Sequence, residues 1–254
     1  MGKTAFITGA TSGIGEEFAR AYAANGYRLI LTGRRKDKLM EMKKQLQVPC
    51  KILVADLSDE EACKQLLEQL SNQRIDVFIN NAGFGTCGAF TDTDLDKEIS
   101  MIHVNDISMH ILFKGILQKM QEQDSGYILN VASSAGLLPG GPFMATYYAS
   151  KAYVVSLTRA VVHELHMQGS RVHVSALCPG PVDTEFNAQA DVKFALPGIS
   201  ARQCVTEALR QMYSGKTIIV PSLLMKAAMF YQQFVPASLL VAITARQQKK
   251  KIYR

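Results

Sequence analysis

The sequence predicts an α/β domain: a doubly wound parallel sheet of about seven strands with helices on both faces. Three observations carry this expectation. Seven short segments rich in Ile, Val and Leu recur along the chain: TAFIT, RLILT, KILVA, DVFIN, YILNVA, VHVSALC and TIIV. Each is nearly continuous in hydrophobicity, as a strand buried on both faces must be. Helix-length stretches separate them, and such alternation returns through right-handed crossovers to give parallel neighbours.

TAFIT runs directly into ITGATSGIGEEFA. Gly9, Gly13 and Gly15 let the backbone turn tightly and come close to a ligand. The helix expected over residues 13–25 presents unpaired N–H groups and its positive dipole end there, which suits a pyrophosphate. The spacing is G-x-x-x-G-x-G, not the common G-x-G-x-x-G dinucleotide fingerprint. RLILT leads into TGRRKDK. A free ribose 2′-hydroxyl wants an acidic acceptor at this strand end, whereas a 2′-phosphate wants cations. No acid ends the strand, and Arg34 and Arg35 follow, with planar guanidiniums suited to phosphate. Asp37 stands close enough in sequence to neutralise one of them.

Helices are then expected over 37–47, 59–69 and 147–167, with KILVA, DVFIN and YILNVA as the third to fifth strands. VHVSALC and TIIV complete the sheet. Beyond TIIV the pattern changes. Residues 227–245 carry no charge, but Gln232, Gln233 and Pro236 interrupt them. Pro236 is expected to divide two short helices, and the stretch is too broken for a span of roughly 20 apolar residues. A core or subunit contact, a substrate lid and a peripheral membrane contact all stay open for it. With no linker, repeat or low-complexity tract, one domain over 1–254 is expected, with a helical extension over 221–254.

A chain of 254 residues can bury a full core without metals or disulfides. Its 48% apolar and 20% charged residues fit a folded globular protein rather than a disordered one. The five cysteines are odd in number, scattered and free of CxxC spacing, so neither zinc nor a disulfide framework is expected. A reducing, cytoplasmic setting is the expectation. MGKTAFITGA lacks the apolar stretch of a secretory signal, and Phe6 stands where a myristoylation signal needs Ser or Thr. The net charge of +6 gathers at Arg34, Arg35, Lys36 and Lys38 and again over 246–254. The first cluster suits phosphate and the second an acidic partner or membrane surface; solvated surface is the plain alternative for both. No nucleic-acid partner is expected. His163 and His166 in HELH sit three apart, not in the H-E-x-x-H spacing of a zinc site, so no metal is expected.

The motifs TGATSGIG, NNAG, HVNDIS, NVASSAG, YYASK and PGPVDT occur in that order between about residue 3 and residue 220. With them, the chain resembles the short-chain dehydrogenase/reductase family, and the resemblance implies a Rossmann-type fold, a nicotinamide cofactor and carbonyl/alcohol oxidoreduction. The family's Y-x-A-S-K pattern falls on Tyr147, Ala149, Ser150 and Lys151, selecting Tyr147 over Tyr148 as the acid/base. Residues four apart share one helix face, whereas Tyr148 points about 100° away. An ammonium beside a phenol should lower a pKa that is ordinarily near 10.

The resemblance further implies that Ser133 holds the substrate oxygen and that Asn105 holds a helix kink and a water. Counting from Asn130 along the strand selects Ser133; counting back from Tyr147 selects Ser134. The strand register favours Ser133, since successive side chains alternate faces. The implied cofactor contacts are Gly9, Thr11, Ser12, Gly13, Ile14, Gly15, Arg34, Arg35, Asp56, Leu57, Asn81, Ala82, Gly83, Tyr147, Lys151, Pro179, Gly180, Val182 and Thr184. For Asn105 and Asp56, helix capping is the plain alternative.

NADP(H) is expected ahead of NAD(H). Phe84, Phe90, Leu137, Phe143, Met144, Phe186, Phe194 and Leu196 are expected to wall an apolar pocket, beneath a lid after Pro179. The expected substrate is therefore a hydrophobic ketone, steroid or lipid-like alcohol. A homo-oligomer, dimer or tetramer, is expected through 106–120 and 147–167. Two rival functions remain at this level: a catalytically silent NADP-binding regulator or scaffold, and an epimerase or dehydratase of the same family.

Overall fold

Phe6 packs on one face of the central sheet while its neighbours Ala5 and Ile7 pack on the other. This two-residue alternation, apolar on both sides, is why the strands read as unbroken apolar runs. The computed structural model describes residues 2–184 and 198–252, with side chains through residue 249. Its strands are β1 (Thr4–Thr8), β2 (Arg28–Gly33), β3 (Cys50–Val54), β4 (Val77–Asn80), β5 (Gly126–Val131), β6 (Val172–Leu177), β7 (Val182–Asp183), β8 (Ile199–Ser200) and β9 (Ile218–Ile219). Seven form one sheet in the order β3-β2-β1-β4-β5-β6-β9, all parallel. The expected Rossmann-type architecture is therefore present.

The helices are α1 (Gly13–Ala24), α2 (Lys36–Leu46), α3 (Glu60–Gln69), α4 (Leu95–Ile102), α5 (Met109–Glu122), α6 (Ala145–Met167), α7 (Ala201–Tyr213), α8 (Leu223–Tyr231) and α9 (Ala237–Ile252). One face of the sheet is covered by α3, α5 and α6, through residues such as Leu66, Phe113 and Val154. The other is covered by α1, α2 and α7, through Phe18, Leu39 and Met212. Phe6 and Phe78 stack across β1 and β4 at 4.9 Å between ring centroids. Both are fully buried, and truncating either to Ala costs about 3–5 kcal/mol.

Strand order reverses between β1 and β4, so the connections leaving them depart to opposite faces. A crevice opens at the carboxyl ends of the strands at this point. Neither α4 nor α7 is among the expected helices, and TIIV pairs only through Ile218–Ile219. Between α4 and α5 the chain widens into a π-helical turn, His103–Ser108, which contains Asn105.

Pro236 does divide the extension, between α8 and α9. Ser222 caps α8 by accepting from the Met225 N–H. Lys226 Nζ donates to Glu207 Oε1 at 3.2 Å, and Gln232 Nε2 donates to the Leu137 carbonyl at 3.0 Å, tying the extension to the sheet domain. Among the described residues no helix is long and apolar enough to cross a membrane.

Candidate active site

Every strand from β1 to β6 delivers its following loop to one cleft of about 380 Å³. After β1, Gly9 holds φ +61°, and a Cβ there would lie 2.9 Å from Asn81 Nδ2 and 3.0 Å from Ala82 Cα. The NNAG segment after β4 explains this crowding. Asn81 Nδ2 donates to the carbonyls of Thr8 and Gly9, and the N–H groups of Asn81 and Ala82 both donate to Thr8 Oγ1. Asn81 thus lines the cleft and clamps the glycine turn.

Helix α1 begins in this turn. Its N-cap, Ser12, is extended and makes no side-chain capping bond. The first-turn N–H groups keep their donors for an anion, at the positive end of the helix dipole. Thr11, Ser12, Gly13 and Ile14 line the cleft. Gly15 is not among the lining residues; it packs behind the turn, where a Cβ would strike the Gly9 carbonyl. The residues present therefore fit a dinucleotide pyrophosphate.

Arg34 and Arg35 line the same cleft. Arg34 is exposed, whereas Arg35 Nη2 donates to Thr11 Oγ1 at 2.9 Å and Nε to the same oxygen at 3.3 Å. Arg35 is thereby coupled to the glycine turn. Helix α2 likewise starts without a side-chain cap, so its dipole end adds to the positive charge there. Asp56 is not a lining residue, although Ala55 and Leu57 are. Its carboxylate turns back to accept from Ser58 N–H and Oγ, while Asp59 caps α3. Partial burial would raise its pKa, but those bonds and the charge of Arg34 outweigh it and lower the value.

On the other side of the cleft, Tyr147 and Lys151 both face inward from α6. Lys151 Nζ lies 5.8 Å from the Tyr147 ring centroid and donates to the Val131 carbonyl at 3.1 Å. Gly83 makes room for it: a Cβ there would lie 3.2 Å from Lys151 Nζ and 2.8 Å from Asn105 Oδ1. Asn105 is buried behind Lys151, not in the cleft wall. Its Oδ1 accepts from Phe84 N–H, and its Nδ2 donates to the Phe84 carbonyl and to Ser150 Oγ. Asn105 fastens the π-helical turn to the NNAG loop and to α6.

Ser133 and Tyr147 line the same cleft, and the Ser133 hydroxyl acts to lower the Tyr147 pKa. Ser133 Oγ also accepts from the Ala135 N–H at 3.1 Å, which orients its hydroxyl. Ser134 starts a 3-10 turn, and its N–H donates to the Pro179 carbonyl. Both serines line the cleft, but it is Ser133 that bears on the ionisation of the tyrosine.

The expected lowering of the Tyr147 pKa is not met. Burial pushes it up to about 12, against a smaller lowering by the Ser133 hydroxyl. Lys151 is itself pushed down to about 8 by burial, partly offset by Asp106. Asp106 is raised by burial to about 6, held back by Lys151. Desolvation of the phenolate costs more here than Ser133 returns.

Pro179, Gly180 and Val182 close the cleft along one edge, and Thr184 packs against Gly13. Of the expected apolar wall, Phe84 and Met144 line the cleft. Phe90 does not: it is 67% exposed. Leu137 faces a neighbouring cavity, and Leu138 takes the cleft position beside Tyr148. Phe143 is not a lining residue either and holds φ +66°. Phe186, Phe194 and Leu196, with most of the expected lid, lie outside the described residues. Met225, Gln247 and Gln248 from the extension complete the wall, and nothing in LLMKAAM or RQQKKK marks them as such. The five cysteines are free, and no group of three or more metal-ligating side chains converges among the described residues.

Known proteins resemble this chain in sequence and in fold. The family profile described as short chain dehydrogenase matches residues 3–193. Dehydrogenase/reductase SDR family member 6 of Rattus norvegicus is 34% identical over 208 residues, covering 80% of this chain and 82% of its own. A short-chain dehydrogenase of Sphingobium yanoikuyae in complex with NADPH superposes with a TM-score of 0.83 at 28% identity, over 93% of this chain and 94% of its own. A short-chain dehydrogenase/reductase of Burkholderia phymatum in complex with NAD gives 0.83 at 26% identity, over 92% and 93%. The chain belongs to the short-chain dehydrogenase/reductase family of NAD(P)-dependent oxidoreductases.

Proposed function

We propose that this protein reduces bulky, apolar ketones to secondary alcohols with NADPH, using Tyr147 as the proton donor. The observation that carries the reading is the meeting of Ser133, Tyr147 and Lys151 in the cleft that also holds the uncapped start of α1. The glycine turn, Leu57, Ala82 and the Pro179–Thr184 edge would hold the dinucleotide. A bound nicotinamide would supply the hydride. Ser133 donates to the carbonyl oxygen, and Tyr147 gives that oxygen its proton as the alcohol forms. Lys151 stabilises the phenolate left behind and is steadied by the Val131 carbonyl. Asn105 positions this group from behind.

Several features support the finer choices. A phenol raised to about 12 is protonated at neutral pH, so it is ready to donate. Arg34 and Arg35, with no acid at the end of β2, favour a 2′-phosphate. Phe84, Leu138, Met144 and Met225 give the substrate end an apolar lining. The outward faces of α5 and α6 remain the proposed contact of a homo-oligomer.

The test is consumption of NADPH with a panel of bulky ketones, followed by Tyr147→Phe. The variant should lose turnover by about 10²–10⁴-fold while still binding NADPH. Undiminished turnover in that variant removes the proposed mechanism.

A further inference from the structure

The last acidic residue of the chain is Glu207. Residues 208–254 hold eight of the 28 lysines and arginines and none of the 22 acids. The helices α8 and α9 lie within this cationic segment. Their inner sides are occupied: Met225 and Met229 pack on the core, and Gln232 and Gln248 bond back to the sheet domain. Their outer sides, with the 3-10 turn Gln232–Phe234 between them, expose Leu223 (80%), Phe230 (56%), Tyr231 (66%), Phe234 (71%) and Leu239 (52%). Phe230 contacts both Tyr231 and Phe234 edge-on, at 5.5 and 5.6 Å between ring centroids, so the aromatics form one patch. A contiguous apolar patch of this kind marks an interaction site rather than ordinary surface.

Charge decides the occupant. A second copy docking on this face through two-fold symmetry would bring the same patch and the same excess of cations, repelling its partner. An anionic lipid surface offers what the face lacks on both counts. Aromatic and aliphatic side chains enter the headgroup boundary, and Arg246 and Lys249, exposed on α9, meet acidic headgroups. No helix needs to cross the bilayer for this. We propose that the outer face of α8 and α9 docks on anionic membrane surfaces. Met225 and Gln248 on the same helices line the cleft, so the docked face adjoins the substrate end. The proposal stands independently of the catalytic reading.

The experiment is co-sedimentation of the full chain with vesicles of phosphatidylcholine mixed with phosphatidylglycerol, against phosphatidylcholine alone. Binding is expected to the mixed vesicles and to fall with added salt, as screened charge requires. The Phe230→Glu/Phe234→Glu variant should bind about tenfold less or worse, with NADPH binding reporting that it is folded. The charge reversal Arg246→Glu/Lys249→Glu should also weaken binding, without altering any apolar contact. Three results would overturn the proposal: no binding by the wild type, binding equal in both variants, or a lipid-free dimer that the Phe230/Phe234 variant dissociates. The last would assign the face to a second copy.

Discussion

Gln248 Nε2 donates to the Tyr148 hydroxyl at 2.7 Å, joining two residues one hundred positions apart. The bond fastens α9 over the cleft, beside the tyrosine that follows Tyr147. Gln248 is 3% exposed, and its Oε1 is buried without a partner among the described residues. This bond holds helix α9 at the substrate end of the cleft.

Replacing Gln248 by Leu removes that bond and keeps most of the volume. A buried neutral hydrogen bond contributes about 1 kcal/mol, so thermal stability should fall by that order. The KM for bulky ketones should change while kcat stays near wild type, because the reacting groups are untouched. Denaturation and initial rates check this; unchanged stability and KM would show that the tether does nothing.

Arg34 and Arg35 should separate cleanly. Arg34→Ala removes an exposed guanidinium facing the cleft, so NADPH should weaken by roughly tenfold or more, the scale of a charged hydrogen bond, and NADH hardly at all. Arg35→Ala also releases Thr11 and so should weaken both cofactors. Titration of each variant with each cofactor reads the difference. Equal losses of NADPH and NADH in Arg34→Ala would defeat the phosphate assignment.

The two serines give a second separation. Ser133→Ala should lower kcat by about 10²-fold or more, as loss of a donor to a developing oxyanion does. Ser134→Ala should stay within about threefold of wild type, like a substitution away from a named contact. The reverse ranking would show that counting back from Tyr147 was the better guide.

Lys151 makes stability depend on pH. Its folded pKa of about 8 lies below the ordinary 10.5, so between these values the unfolded chain binds more protons. The Lys151 contribution to stability should therefore rise as pH climbs from 8 toward 10, and its burial penalty should be fully present below 8. Burial raises the Cys50, Cys63, Cys178 and Cys204 thiols from 9 and the tyrosines from 10, so the thiols oppose this from about pH 9 and the tyrosines above 10. Lys151→Met should lack this contribution, so the wild type should gain on it as pH rises, and the variant should lose activity. Denaturation of both proteins at pH 7, 8, 9 and 10 tests it (about 1.4 kcal/mol per unit is the ceiling); parallel curves would contradict it.

The sequence by itself determined the parallel sheet, the glycine turn and the pairing of Tyr147 with Lys151. These depend on short-range regularities: apolar runs, a strand-to-helix turn, and the four-residue repeat of a helix face. Strand alternation from Asn130 likewise favoured Ser133, the serine that bears on the ionisation of Tyr147. Tertiary structure alone decided the rest. Asp56 turned to Ser58 rather than the cleft, Phe90 went to the surface, and Leu138 replaced Leu137, because loop side chains follow no period. The closure of the cleft by Met225 and Gln248 was invisible in the chain, since it arises from packing between distant segments. The raised pKa of Tyr147 was hidden for the same reason: the lysine four residues on is plain in the sequence, but the burial that raises the phenol exists only once the whole cleft is folded.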